Sequence, residues 1–276
     1  MDNGTKTEIK LANGVSIPAL GLGVWKVEDE NEMRGSVKAA LDAGYVHIDT
    51  AAAYGNEDMV GRAVRDFTDR KNIFITTKLW NSDHLNVEAA FEKSLKNLQT
   101  DYIDLYLIHW PSVIHNNYVP AWKSLVKIYE SKRVKAIGVS NFLSHHINEI
   151  IEATGVVPHM NQVERHPLMQ QKELADFCGG LGIKMTAYSP LGTGHLAEIV
   201  PKVAPLAEKY KKTAAQIILR WHFQTGWVFI PKSVKPERVL ENSQIFDFEL
   251  NDEDMAFMAG VDCGKRYLPH PDKAEF

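Results

Sequence analysis

The chain has 276 residues, of which 45% are hydrophobic and 24% charged, so it can bury a sizeable core and is not a disordered protein. Its net charge of −4 argues against a protein that depends mainly on contacts with nucleic-acid phosphates. Two cysteines, Cys178 and Cys263, are too few for a disulfide framework or a thiolate metal site, and they indicate reduced thiols in a cytoplasmic protein. No apolar run approaches the ~20 residues of a membrane span, and the polar start is not expected to be a secretion signal.

The first predicted element is a β-hairpin, because Asn13-Gly14 stands between two short apolar runs. After it, one pattern recurs along the chain: a short β-branched apolar run, a turn and an amphipathic stretch. The predicted strands are residues 19–22, 46–49, 73–78, 103–109, 134–140, 159–163, 183–188 and 227–230. The predicted helices are residues 30–43, 87–98, 120–131, 145–153, 170–181 and 213–224. In the second helix, one apolar stripe is formed by Val87, Phe91, Leu95 and Leu98.

These strands are almost continuously apolar, as is typical of parallel strands that helices cover on the outside. About eight strand–helix units in a chain of this length predict an α/β fold of the (β/α)8 TIM barrel type. A doubly wound sheet is the competing fold, but Gly21-Leu-Gly23 is not followed by the third glycine of its usual turn. We therefore predict a single barrel domain over residues 1–276, with the hairpin across its bottom mouth.

Three consecutive predicted strands lead into residues suited to catalysis. The second strand ends at Asp49, with Tyr54 in the loop beyond it, the third ends at Lys78 and the fourth at His109. Taken singly, each has an ordinary interpretation as a solvated loop residue or a buried, hydrogen-bonded histidine. Reactive groups of a barrel collect where its strands end, so the joint arrival of all four at one face favours a shared site.

The four side chains together make a plausible proton donor. A nearby ammonium is expected to lower the pKa of a phenol from its reference value of about 10, and a carboxylate keeps that ammonium charged and oriented. Tyr54 is then the candidate general acid for an oxygen that develops negative charge, as a carbonyl does when it accepts hydride from a nicotinamide. His109 would polarise or orient the same oxygen. No metal is required.

At these residues the sequence resembles the aldo-keto reductase family along nearly its whole length. The family's first signature is similar to residues 44–57, GYVHIDTAAAYGNE, and further blocks match residues 105–111, 135–142 and 230–233. The resemblance implies a catalytic tetrad of Asp49, Tyr54, Lys78 and His109, with Tyr54 as the acid in carbonyl reduction. The likeness is to short-tailed microbial members, among them diketogluconate reductases and the protist prostaglandin F synthases.

The resemblance also implies an NADP(H) site. Its nicotinamide end would be held by Asp49, Ser140, Asn141, Gln162 and Tyr188, with Tyr188 stacked on the ring. The groove would be lined by Gly23, Val24, Trp25, Ser189, Leu191 and Gly192. The adenosine end and its 2′-phosphate would be met by Lys232, Ser233, Val234, Arg238, Glu241 and Asn242. Two cations and a hydroxyl suit a phosphate dianion, which favours NADPH over NADH.

The substrate pocket implied by the resemblance is aromatic, and its residues are Trp25, Tyr54, Trp80, His109 and Trp110. The loop of residues 111–120 and the short tail after Cys263 are expected to shape specificity. In that loop, His115, Asn116 and Asn117 either meet substrate hydroxyls or form a solvated turn. Two positions depart from the family pattern: Val46 stands where an arginine is usual, and Arg165 where a tyrosine or leucine is common.

The leading hypothesis is an NADPH-dependent reductase of aldehydes and ketones. The alternative is a cofactor-binding regulatory relative with little turnover, which would not need Lys78 and His109 together. A metal-dependent barrel hydrolase is disfavoured because the strand ends lack clustered histidine and carboxylate ligands. The expected partner is a small carbonyl compound, with no nucleic acid and no membrane, and the protein is expected to act as a cytoplasmic monomer.

Overall fold

The computed structural model describes residues 4–274 and 276, and it begins with the predicted hairpin. Strand β1 (Glu8–Lys10) pairs antiparallel with β2 (Ser16–Pro18). The turn uses Gly14 at φ +88°, a conformation that favours glycine, and the Asn13 side chain accepts the N–H of Val15 at 3.2 Å. The Asn-Gly signal in the sequence is thereby confirmed.

In the part of the chain that the structure describes, eight parallel strands then form a sheet that closes on itself. Each strand pairs with its neighbour in chain order, and bridges from Leu20 to Phe229 and from Gly23 to Lys232 join the first strand to the last. The (β/α)8 barrel prediction is confirmed. The first strand was predicted at residues 19–22, but the observed strand begins only at Leu22. Residues 19–21 pair with the last strand only through the isolated bridge at Leu20. The strands are β3 (Leu22–Gly23), β4 (His47–Asp49), β5 (Phe74–Leu79), β6 (Ile103–Ile108), β7 (Val134–Ser140), β8 (Met160–Glu164), β9 (Lys184–Tyr188) and β10 (Val228–Phe229).

The six predicted helices are present to within two residues at either end. The helices of the described residues are α1 (Glu30–Asp42), α2 (Glu57–Phe67), α3 (Val87–Leu98), α4 (Tyr118–Glu130), α5 (Ser144–Thr154), α6 (Lys172–Gly180), α7 (Leu196–Tyr210), α8 (Ala214–Gln224), α9 (Pro236–Ser243) and α10 (Asp252–Ala259). Helix α7 contains Pro201 and Pro205, which mask it as a helix in the sequence. None of these helices is long and apolar enough to span a bilayer.

The hairpin lies at the end of the barrel where the strands begin. Its Leu11 and Ile17 belong to one buried apolar cluster with Phe74, Met160 and Val228, the first residues of β5, β8 and β10. The bottom mouth is therefore filled with side chains, as predicted. The polar groups suited to catalysis lie at the opposite end of the barrel, where the strands finish.

Candidate active site

The structure brings the four predicted catalytic residues together at the end of the barrel where the strands finish. Lys78 Nζ donates to Asp49 Oδ1 at 2.5 Å and to the carbonyl of Thr50 at 2.8 Å. It also lies 3.4 Å from the hydroxyl of Tyr54, which a short 3-10 turn (Ala52–Tyr54) carries over the strand ends. The Tyr54 ring meets the His109 ring edge to face at a centroid separation of 5.6 Å.

Asp49 and Lys78 form a buried ion pair, with side chains 2% and 0% exposed. Burial raises the pKa of Asp49 and lowers the pKa of Lys78, because it penalises the charged form of each, while their mutual attraction opposes both shifts. Gln162 donates to the second oxygen, Asp49 Oδ2, at 2.7 Å. The carboxylate is therefore held on both sides.

The phenol of Tyr54 differs from the expectation drawn from the sequence. Its pKa lies well above the usual value of 10.0, because desolvation in the site and, to a lesser extent, the negative charge of Asp49 disfavour the phenolate. Desolvation, the larger cause, and the charge of Asp49 together outweigh the predicted lowering by Lys78. Tyr54 therefore keeps its proton at neutral pH.

His109 is a neutral imidazole. Burial and the positive charge of Lys78 hold the pKa of His109 well below its usual 6.5. Its Nδ1 has no hydrogen-bond partner among the described residues, and its ring packs edge to face on Trp80 at 5.2 Å. A neutral imidazole carries one N–H, so it can donate one hydrogen bond to a substrate oxygen without adding a positive charge to the site.

Amide and hydroxyl groups from the next strands surround this centre. Asn141 sits at φ +62° and donates to the carbonyl of His109 at 2.9 Å. The Tyr188 hydroxyl donates to Asn141 Oδ1 at 2.6 Å, and the Ser140 hydroxyl donates to the carbonyl of Gln162 at 2.8 Å. These predicted nicotinamide-binding residues therefore form one connected layer beside the ion pair.

The other predicted cofactor residues lie where the barrel closes. The N–H of Gly23 donates to the carbonyl of Pro231 at 3.2 Å. The end of β3 therefore lies beside residues 231–233, which follow β10. Lys232 and Arg238 are exposed, whereas the side chain of Ser233 is mostly buried between them in the chain. Gly23, Val24, Gly192 and Asn242 are buried, while Ser189, Leu191, Val234 and Glu241 are half-buried.

An aromatic wall stands next to His109, and one of its members was not identified individually from the sequence. The ring of Phe276 stacks on Trp80 at 5.7 Å and meets Trp110 edge to face at 5.1 Å. Its carbonyl accepts the side-chain N–H of Asn81 at 2.7 Å. Trp25, also predicted for this pocket, is 36% exposed. Only the general expectation that the tail shapes specificity pointed toward this contact.

The remaining predicted positions have simpler settings. In the loop of residues 111–120, His115 and Asn116 are exposed and helix α4 already begins at Tyr118. Arg165 is buried, with its guanidinium carbon 3.9 Å from the ring centroid of Trp221 and 4.2 Å from that of Trp227. The two tryptophan rings therefore pack against a cation. Nothing in the structure explains Val46.

One group of histidines and acids in the described residues is compact enough to consider for a metal: His145, His146 and Asp272. His146 Nδ1 accepts the N–H of Leu143 at 3.2 Å, so its Nε2 carries the proton that faces Asp272 Oδ1 at 3.3 Å. This arrangement suits a hydrogen bond better than a metal. The group lies at the start of α5, apart from the four catalytic candidates.

Comparison with known proteins gives a consistent result. A family model described as the Aldo/keto reductase family matches residues 19–262. The chain is 48% identical over 279 residues to glyoxal reductase of Bacillus subtilis (strain 168), covering 100% of both. It is 47% identical to a methylglyoxal reductase of Escherichia coli (strain K12), covering 97% of this chain and 98% of that protein. A solved structure of a Gox0644 mutant in complex with NADPH has 40% identity and a TM-score of 0.93, covering 98% of this chain and 99% of that one. The chain belongs to the aldo/keto reductase family.

Proposed function

We propose that this protein reduces small aldehydes and ketones to alcohols with NADPH. The observation that carries the proposal is the hydrogen-bonded series Asp49–Lys78–Tyr54, in which the ion pair is buried, beside a neutral His109. The relatives named glyoxal reductase and methylglyoxal reductase support the substrate class, and the Gox0644 complex supports the cofactor. The four catalytic assignments rest on this chemistry and on the family's motif.

Tyr54 is the proton donor in this scheme. Bound NADPH supplies the hydride that reaches the carbonyl carbon. As negative charge develops on the carbonyl oxygen, the Tyr54 hydroxyl passes its proton to that oxygen, which is more basic than a phenolate. The phenolate left behind is stabilised by Lys78, whose ammonium lies 3.4 Å away. Because its pKa lies above the usual 10.0, Tyr54 gives up its proton only to a strongly basic oxygen such as the developing alkoxide.

His109 orients the carbonyl. Because it is neutral and close to both Tyr54 and Trp80, it can donate one N–H to a substrate oxygen that lies at the Tyr54 hydroxyl. The substrate lies against an apolar surface made of Trp25, Trp80 and Trp110. This pocket, completed by Phe276, is suited to small carbonyl compounds.

The cofactor site follows the positions set out above. Ser140, Asn141 and Gln162 hold the carboxamide of the nicotinamide, and Tyr188 stacks on its ring. Gly23, Val24, Trp25, Ser189, Leu191 and Gly192 line the groove. Lys232, Ser233, Val234, Arg238, Glu241 and Asn242 form the adenosine end. The exposed cations Lys232 and Arg238 fit a phosphate dianion, so NADPH is preferred to NADH.

The chain is proposed to act as a single-domain monomer in the cytoplasm, without nucleic-acid or membrane partners. The family model spans most of the barrel, which supports one domain. Both cysteines are free thiols, Cys178 buried and Cys263 exposed, which fits a reducing compartment.

Tyr54→Phe tests the proposal, with methylglyoxal and a panel of aldehydes and ketones as substrates and loss of NADPH absorbance as the signal. The variant should lose about 100- to 10,000-fold in turnover, because it cannot donate the proton. NADPH affinity should stay near that of the wild type. If Tyr54→Phe retains most of the activity, Tyr54 is not the acid. If the wild type binds NADPH but none of the carbonyl compounds in the panel leads to its oxidation, the regulatory alternative is correct.

A further inference from the structure

Glu164, the last residue of β8, is a fully buried carboxylate that the proposed chemistry does not use. It accepts the backbone N–H of Tyr267 at 2.7 Å and that of Leu268 at 3.2 Å. His166 Nε2 lies 3.0 Å from the same carboxylate. A buried carboxylate is costly unless it is hydrogen-bonded, so residues 265–268, the tail segment, cannot leave without exposing or orphaning it.

The tail segment is fastened at its other side to the start of α7. The ring of Tyr267 stacks on His195 at 4.1 Å with the planes only 4° apart, and its hydroxyl donates to Glu198 at 3.2 Å. Lys265 forms an ion pair with Glu198, which His195 also contacts at 2.8 Å. These partners lower the pKa of Glu198 to about 2, so it is ionised throughout the neutral range.

The loop of residues 189–195, the cofactor loop, joins β9 to α7 and leads into the second of these anchors, at His195 and Glu198. Ser189 and Thr193 adopt φ values of +51° and +46°, which are unfavourable for residues with a side chain, and Gly192 and Gly194 are also left-handed. A Cβ on Gly192 would lie 2.7 Å from the Ile199 side chain and 3.5 Å from the Tyr267 ring. A loop in this conformation needs support from outside itself.

We infer that the tail segment is a clasp on the cofactor loop, with Glu164 and Tyr267 as positioning residues for NADPH binding. This rests on the proposed function, because the cofactor loop supplies the predicted groove residues Ser189, Leu191 and Gly192. Glu164 lies opposite Tyr188 in the sheet, so the clasp begins one strand away from the residue that precedes the loop. Releasing the clasp allows the loop to leave its binding shape and lowers the affinity for NADPH.

The chain provides a matched control at the other end of the same helix. Tyr210, the last residue of α7, donates to Asp254, which Lys209 also contacts at 2.7 Å. This group repeats the tyrosine, lysine and carboxylate of the clasp, far along the helix from the cofactor loop. Substitutions there remove the same kind of contact without touching the loop.

The experiment compares Tyr267→Phe and Tyr267→Ala with Tyr210→Phe and Tyr210→Ala. Fluorescence titration gives the Kd for NADPH, and stopped-flow displacement gives the dissociation rate of NADP⁺. Tyr267→Ala should raise the Kd about tenfold, or about 1.4 kcal/mol, with faster dissociation and a smaller effect for Tyr267→Phe. The loss should appear in KM for NADPH and not in single-turnover hydride transfer at saturating NADPH.

Glu164→Gln should act in the same direction as Tyr267→Ala, and the variants of the half-buried Tyr267 and Tyr210 keep the test valid if it fails to fold. The clasp is refuted if both Tyr267 variants bind NADPH as the wild type does, or if the Tyr210 variants lose affinity equally. Since the Kd for NADPH and the dissociation rate of NADP⁺ are measured without a carbonyl substrate, they stay informative where no carbonyl compound is turned over. A failed clasp and a failed reductase are therefore distinguishable.

Discussion

The two ends of the barrel are built from the same strands but bury different kinds of side chain. At the bottom, Ile17 of the hairpin packs in a dry cluster with Phe74 and Met160. At the top, an ion pair and a neutral histidine are buried under aromatic rings. The bottom gains stability by removing apolar surface from water, whereas the top places charges where burial penalises them. Stability and chemistry are thus separated along the barrel axis.

Asp49→Asn at the top is expected to have the largest effect on stability. It leaves the ammonium of Lys78 buried without its partner, at a cost of about 3–5 kcal/mol, and it also removes turnover. The double variant Asp49→Asn/Lys78→Met should recover much of the stability but none of the activity. Urea unfolding and NADPH oxidation measure the two quantities. A double variant no more stable than the single one would contradict this account of the top.

Ile17→Ala at the bottom should reduce the free energy of unfolding by about 2–5 kcal/mol, because it opens a cavity in a fully buried cluster. The Kd for NADPH and the turnover number should be unchanged below the unfolding transition. A change in either would show that the two ends are coupled and would remove the distinction between them.

His47, the first residue of β4, packs edge to face on Phe74 of the bottom cluster, so the pH dependence of stability tests this end of the barrel. Burial lowers the pKa of His47 from 6.5 to about 3. The unfolded chain therefore takes up a proton below pH 6.5 that the folded chain refuses until about pH 3, so stability falls with acid across that window by about 1.4 kcal/mol per pH unit. His47→Gln should make the fall shallower when unfolding is followed from pH 7 to pH 5. An unchanged slope would assign the acid sensitivity to other groups.

Phe276→Ala should have the smallest effect, and only at the top. Removing the ring that lies against Trp80 and Trp110 enlarges the pocket without touching the ion pair. The ratio of kcat/KM for methylglyoxal over a bulky aromatic aldehyde should fall by up to about tenfold, while the free energy of unfolding changes little. A loss of the same size for both substrates would mean that Phe276 does not select by size.

Much of this molecule was predictable because burial leaves a local record. The stripe of Val87, Phe91, Leu95 and Leu98 is buried on α3 as its spacing predicts. Asp49, Lys78 and His109 were found because parallel strands must end on one face, so their separate positions along the chain predict one place. Helix α7 gave a weaker signal since its two prolines are typical of breaks in a helix.

The amino-acid sequence by itself determined the strand–helix alternation, the polarity of the strand ends and the family. Only the closed barrel decided the setting of those groups: that the pKa of Tyr54 is raised and not lowered, that Arg165 lies against two tryptophans, and that Glu164 binds a segment about one hundred residues away. Periodicity depends on neighbours within a few residues. Electrostatics and distant contacts depend on which surfaces meet, and that is fixed only when the chain has folded.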